Sequence, residues 1–213
     1  MRRLLIAATL VGLAPSAIAA QGVSIAPKAG STGFGGDVIL SLAPKLALKA
    51  GVGFSLVEFD VDLGSQQYLV EPPPVFVTAA IDIRLTGPFR IMAGLLHRTD
   101  DVRFGGDLTG AVEIGDLTFN APGRLEGALI STETAPFLGI GLGSLGGQGT
   151  GVYLDLAIAF TGDPDVSLIG SGAITSEPNF DVELERERVS ILDEIDEYYR
   201  YWPIVNLGFR IRL

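Results

Sequence analysis

The chain has 213 residues, 47% of them hydrophobic, with 28 glycines, no cysteine and a formal net charge of −10. The lack of cysteine excludes a disulfide framework and thiolate chemistry, and the acidic balance argues against nucleic acid or an anionic surface as partner. Glycine stands well above its ordinary level of about 7% and lies inside apolar segments as well as between them, as barrel corners and crowded interiors tolerate.

The N-terminus reads MRRLLIAATLVGLAPSAIAAQG. Arg2 and Arg3 precede an apolar run from Leu4 to Leu13, and small residues follow up to Ala20. This is the pattern of a secretory signal peptide over residues 1–20. The run is too short for a membrane-spanning helix. Its removal takes two of the 15 basic residues, leaving 13 against 25 acidic ones, a net −12. The rest, 21–213, is expected to form a single domain.

Period-two segments dominate that domain. In KLALKAGVGFSL, Leu46, Leu48, Ala50, Val52, Phe54 and Leu56 share one face, with Lys49, Gly51, Gly53 and Ser55 opposite. In VFVTAAIDIRL, Val75 to Leu85, the odd positions are apolar and Thr78, Asp82 and Arg84 lie on the other face. Phe89, Ile91, Ala93 and Leu95 alternate with Arg90, Gly94 and Arg98; Val152 to Phe160 alternates against Tyr153, Asp155 and Ala157. The last nine residues, VNLGFRIRL, set Arg210 and Arg212 against Phe209, Ile211 and Leu213. Such alternation predicts β-strands with one apolar and one polar face. Pro44-Lys45, Thr86-Gly-Pro88 and Gly162-Asp-Pro164 are turn signals.

Segments near 23–43, 45–60, 71–85, 88–99, 124–142, 150–161, 164–174 and 203–213 give eight strands. The first changes parity at Gly30-Ser-Thr-Gly33, so either a bulge sits inside it or a hairpin splits it. Splitting gives nine, and a further strand within 102–119 would give ten. Parity also changes after Leu56, where that strand bulges or ends.

Strands of about 10 residues can cross a bilayer with tilt. In a soluble sandwich or lipocalin-like calyx the apolar faces would form the core. In a membrane barrel they meet lipid, and the charges pair inside. The signal peptide, the unbroken apolar faces and the mixed charges interleaved with glycine favour the membrane. The predicted fold is all-β: a closed antiparallel transmembrane β-barrel of about eight strands, alternatively ten. Its expected lumen network is Asp82, Arg84, Arg90, Arg98, Asp155, Arg210 and Arg212.

Ser176 to Trp202 breaks the period and predicts an acidic helical insertion, 175–201, with its core at 178–200. Ser176 and Pro178 stand where cap and first-turn residues belong. The helix is expected to be a solvated connection across a barrel mouth, or else a plug or gate or a cation-binding surface. Tyr198, Tyr199, Tyr201 and Trp202 read as an interfacial girdle, with an aromatic ligand platform as the alternative.

Catalytic signals are weak. The one histidine, His97, has the parity of the lipid face. No G-x-S-x-G and no His/Cys/Asp cluster of metal spacing is present, and the glycine runs do not sit at a strand-to-helix turn. No cofactor is implied.

APFLGIGLGS, GVYLDLAIAFTGDPDVSLIGSG, PNFDVELERERVSILDEIDEYYRYWPIVNLGFRIRL and the N-terminal VSIAPKAGSTGFGGDVILSL resemble, in strand texture and segment order, a family of small, uncharacterised outer-membrane β-barrel proteins of Gram-negative bacteria. The likeness covers about half of the mature chain. It implies an integral outer-membrane protein without an established activity, in contact with outer-membrane lipid and, during biogenesis, with the barrel-assembly machinery that reads the last strand. Such strands typically end in Phe; this one ends in Leu213. The resulting reading is a non-enzymatic barrel with a side-chain-filled lumen and a structural or surface-interaction role. The alternatives are a narrow channel, a small-amphiphile transfer barrel, or a secreted lipocalin-like binding protein.

Overall fold

The computed structural model describes residues 22–63, 66–143, 145 and 149–213. Segment 1–20, expected to be a signal peptide, lies outside them. In chain order the strands are β1 (Gly22–Gly30), β2 (Gly33–Ala43), β3 (Leu46–Phe54), β4 (Phe59–Leu63), β5 (Gln66–Glu71), β6 (Val75–Arg84), β7 (Phe89–Arg98), β8 (Val102–Leu108), β9 (Val112–Ile114), β10 (Leu117–Phe119), β11 (Gly123–Ile130), β12 (Thr134–Gly143), β13 (Thr150–Phe160), β14 (Asp165–Gly172) and β15 (Tyr201–Arg212). One helix, α1 (Phe180–Tyr199), precedes β15.

Eight strands close into an antiparallel barrel in the order β1-β15-β13-β12-β7-β6-β3-β2. Each has 9–12 residues, the length that crosses a bilayer with tilt. The ring closes where β1 pairs with β15, Ile25 opposite Ile211 and Ala29 opposite Leu207. Closure leaves no free edge.

The strand count of eight stands, but its membership differs from the sequence reading. Segment 23–43 is a hairpin, β1 and β2, paired from Gly22–Ser41 to Gly30–Gly33. Segment 164–174 is β14, outside the barrel wall. Segment 124–142 divides into β11, also outside the wall, and β12, inside it. The parity change after Leu56 marks the end of β3 at Phe54.

The strands outside the wall form a five-stranded sheet, β14-β11-β8-β5-β4, and a small hairpin, β9-β10. They arise from three long connections, 55–74, 99–133 and 161–200, that leave the same rim. The opposite rim carries the short turns at 44–45 and 85–88 and the ends of β12 and β13 that face each other there, together with Gly22 and Leu213. We call the sheet, hairpin and helix the cap. The β7–β12 pairing runs almost without interruption into the β8–β11 pairing: Arg98 N–H donates to Glu133 O at 2.8 Å, and Leu129 then lies opposite Val102. The cap is thus rooted in the wall.

One face of the cap sheet buries Tyr68, Val70, Val102, Phe104, Leu125, Leu129 and Val166 against Phe180 and Ile191 of α1. Gly170 lets this happen closely: a methyl group there would lie 2.3 Å from the Phe180 ring. The helix begins after Asn179, whose carbonyl accepts N–H bonds from Val182 and Glu183. Ser176, the expected cap, ends a short 3-10 turn, Ala173–Ser176, instead. Two carboxylates on the inner helix face, Glu183 and Glu187, hold the turn of the β9-β10 hairpin, accepting from Asp116 N–H at 2.8 Å and Gly115 N–H at 3.0 Å.

The barrel's outer face is apolar and exposed, with Ile25, Val38, Ile81, Leu95, Leu138, Ile158 and Leu207 each at least 42% accessible. Its charged face is buried inside. That is the reverse of a soluble sandwich, in which apolar side chains would fill the interior.

Candidate functional site: the barrel interior

The middle of the lumen holds a salt-bridge network that spans the barrel. Arg90 on β7 reaches Asp82 at 2.5 Å and Asp155 at 2.7 Å. Its Nε also donates to Gly143 O at 2.9 Å. Lys49, on the wall opposite β13, donates to Asp155 and lies 3.8 Å from Asp82. A second pair, Lys28 and Asp37 at 2.7 Å, joins β1 to β2, and Tyr153 O–H donates to Asp37 at 2.5 Å. The Tyr153 ring stands between the two groups, with Lys49 Nζ 5.3 Å and the Arg90 guanidinium 5.8 Å from its centre. Three carboxylates thus meet three cations, and all are at most 7% exposed. Buried charges of this kind hold only when each has its partners.

Glycine makes the space. A methyl group at Gly141 would lie 2.4 Å from the Arg90 guanidinium, and one at Gly208 would lie 2.2 Å from the Tyr153 ring. The head groups rest on the bare backbone of the directly paired residue on the neighbouring strand.

Above this network, toward the cap, the interior turns apolar. Phe76, Ala80, Met92, Leu96, Ala135, Phe137, Ala157, Ala159 and Ile204 form one buried cluster. Trp202 packs against both this cluster and the cap core. Its ring is 5.5 Å from Phe76 and 6.1 Å from Tyr199. Arg98 lies over it at 5.6 Å and donates to Ser131 Oγ at 2.6 Å and Thr132 O at 3.2 Å. Burial pushes the Tyr199 phenol up to about 12, partly offset by the neighbouring Arg98 charge. At the other end, Leu145, 2% exposed, tucks into the lumen beside Ala26, Ile39, Ala47 and Tyr153.

The sequence-derived lumen residues separate by depth. Asp82, Arg90 and Asp155 form the central network. Arg98 sits apart from it, at the cap junction. Arg84, Arg210 and Arg212 gather at the short-turn mouth, where Arg210 donates to Ser24 Oγ at 3.4 Å. Sequence reasoning left out Lys28, Asp37, Lys49 and Tyr153. Alternation had already put Lys49 and Tyr153 on polar faces, which was the available signal.

The aromatic girdle requires correction. Tyr199 belongs to α1 and faces the cap core, and Trp202 turns inward on the lumen parity of Ile204 and Asn206. Of the four residues, Tyr201 is exposed outward, edge-to-face with Phe160 at 5.9 Å. The side chain of Tyr198 lies outside the described residues. At the cap-side rim, Phe34, Phe54, Phe160 and Tyr201 are exposed outer aromatics, and Phe34 and Phe54 are directly paired. His97 shares a hydrogen bond of 2.8 Å with the Thr134 hydroxyl on the outer face.

No protein-family model and no curated protein matches the sequence. Solved structures do match the architecture. Acinetobacter baumannii CarO2 aligns at a TM-score of 0.65 and 19% identity, over 90% of this chain and 98% of that one. Acinetobacter baumannii CarO aligns at 0.61 and 19%, with the same coverage. A major outer membrane protein from Thermus thermophilus aligns at 0.41 and 14%, again over 90% and 98%. The fold is that of a small outer-membrane β-barrel. With its apolar exterior and charged interior, the chain is an integral membrane protein that crosses with strands.

Proposed function

We propose that the protein, exported as the single domain 21–213 after removal of residues 1–20, is a closed, non-enzymatic barrel of the outer membrane. Its work is to display the cap at the surface, held by outer-membrane lipid around the apolar wall and inserted by the assembly machinery that reads β15. Short turns mark the periplasmic side and long connections the outer side in such barrels, which supports a cap on the outer side. The observation that carries this reading is the occupied interior. A charged network, an apolar layer and the Trp202–Arg98–Tyr199 junction follow one another along the axis. An eight-stranded barrel leaves room for side chains and little else.

The test is conductance. Purified protein inserted into planar bilayers should give no resolved steps, and a variant with Asp82, Arg90 and Asp155 all replaced by alanine should still give none, because the apolar layer persists. Regular wild-type steps would reverse the reading in favour of a narrow channel. Lipid hydrolysis or acyl transfer that disappears in His97→Ala would make it an enzyme.

A further inference from the structure

Charge is unevenly placed in this chain. All but three of its 25 acidic residues lie in the connections that build the cap; the exceptions are Asp37, Asp82 and Asp155. The same connections hold five arginines against those 22 acids, a net −17. The first of them, 55–74, carries Glu58, Asp60, Asp62 and Glu71 and no basic residue.

Where this connection leaves the wall, a groove opens. Ser55 N–H donates to Pro74 O at 3.0 Å and Thr99 N–H to Val75 O at 3.1 Å. These bonds tie the ends of β3, β6 and β7 together, and the chain diverges above them. The groove between has a volume of about 450 Å³, the size of a ligand cleft. Its lining is of two kinds. Leu56 and Val57, 81% and 58% exposed, stand with Pro72 and Pro74 as its apolar part. Glu58, Glu71, Asp100 and Asp101 are its acidic part. Arg103 also lines it and pairs with Asp100 at 2.9 Å. Glu58, Glu71 and Asp101 have no ion-pair partner among the described residues. Next to the groove the outer wall begins, with Phe54 and Val77 exposed.

We propose that this groove holds a cationic amphipathic peptide. Exposed apolar side chains rimmed by polar ones mark a contact surface, and the four carboxylates, one of them paired, fix the sign of the partner's charge. A polycation without an apolar side would leave Leu56 and Val57 in water. An uncharged apolar partner would cover Glu58 and Glu71 without pairing them, which is costly. A basic amphipathic segment lying at the bilayer surface meets both demands, with apolar side chains on Leu56 and Val57 and lysine or arginine at Glu58, Glu71 and Asp101. The net −17 of the cap draws such a segment toward the groove. This names a partner for the displayed cap and rests on that reading.

The experiment is fluorescence anisotropy on the full mature protein in nanodiscs of zwitterionic lipid, with empty discs as the blank. The probe is a labelled peptide of about 18 residues with lysine and leucine at helical spacing. Saturable binding that weakens with salt is expected. Glu58→Gln/Glu71→Gln should weaken it at least about fivefold, the scale of two exposed ion pairs, and Leu56→Ser/Val57→Ser by a similar factor. Glu177→Gln/Asp181→Asn, an equal charge removal at the start of α1, should leave it intact. Oligolysine of the same charge should compete poorly. No binding beyond the blank, an undiminished affinity in either groove variant, an equal loss in the α1 variant, or equal competition from oligolysine overturns the proposal. So does self-association of the protein that disappears in Leu56→Ser/Val57→Ser, which would assign the groove to a second copy. All variants are checked for the gel shift between boiled and unboiled samples; if one groove variant loses it, the other carries the comparison. These outcomes depend neither on conductance nor on the side the cap faces, so this proposal and the display reading fail separately.

Discussion

Asp155 is where the interior is most exposed to a single change. It accepts from Lys49 on the opposite wall and from Arg90 two strands away. Asp155→Asn would leave two buried cations sharing Asp82. We expect a loss of about 3–5 kcal/mol, read as a lower denaturant midpoint in detergent or lipid. Gly208→Val would push the Tyr153 ring off its backbone seat and break its bond to Asp37; that variant should fail to give the compact unboiled gel band. Alternation made Asp82, Arg90 and Asp155 legible, because each lies in an uninterrupted strand. Lys28 and Asp37 flank the turn where parity flips, so the same pattern hid them. What no alternation could supply is which inward charges share a level. That depends on the stagger between neighbouring strands, and it separated Arg98 from Asp82 by the depth of the apolar layer.

At the scale of elements, period two does not distinguish a wall strand from a cap strand. β11 and β14 alternate too, though with Ile130 and Ile169 exposed on the polar side, and they point the other way. Their apolar sides meet α1, and Arg124, Glu126 and Ser171 face out. The difference is visible only once a helix is known to cover them, so period two alone predicts wall strands at 124–142 and 164–174. The helix itself was legible from the break in period and its acids, and its inner face of Phe180, Leu184 and Ile191 only partly so. Phe180→Ala should cost about 3–5 kcal/mol of cap docking while the barrel stays closed. Limited proteolysis should then cut within 161–200 without loss of the boiling shift. Alkali should act on the same junction. Burial raises the phenol of Tyr199 above its ordinary 10, to about 12, and that of Tyr68 further. A group with a raised folded value favours the folded state below its unfolded value and loses that contribution as pH rises through the folded one. The cap should therefore hold up to about pH 10 and loosen toward pH 12. Trp202 is the sole tryptophan and lies at the junction, so its emission should shift to the red over that window, and less so in Tyr199→Phe.

For the whole molecule, the placement of acids bears on how it is made. The chain visits the cap three times before β15 is synthesised, and the ring cannot close until β15 meets β1. In the proposed orientation, every acidic residue of 55–74, 99–133 and 161–200 must cross the bilayer while the wall is still an open sheet. The same residues cannot be drawn back through a lumen already blocked by Tyr153, Phe137 and Trp202. Translocation and closure are thereby ordered in time, and the finished barrel works as a ratchet that keeps its most highly charged part on the far side.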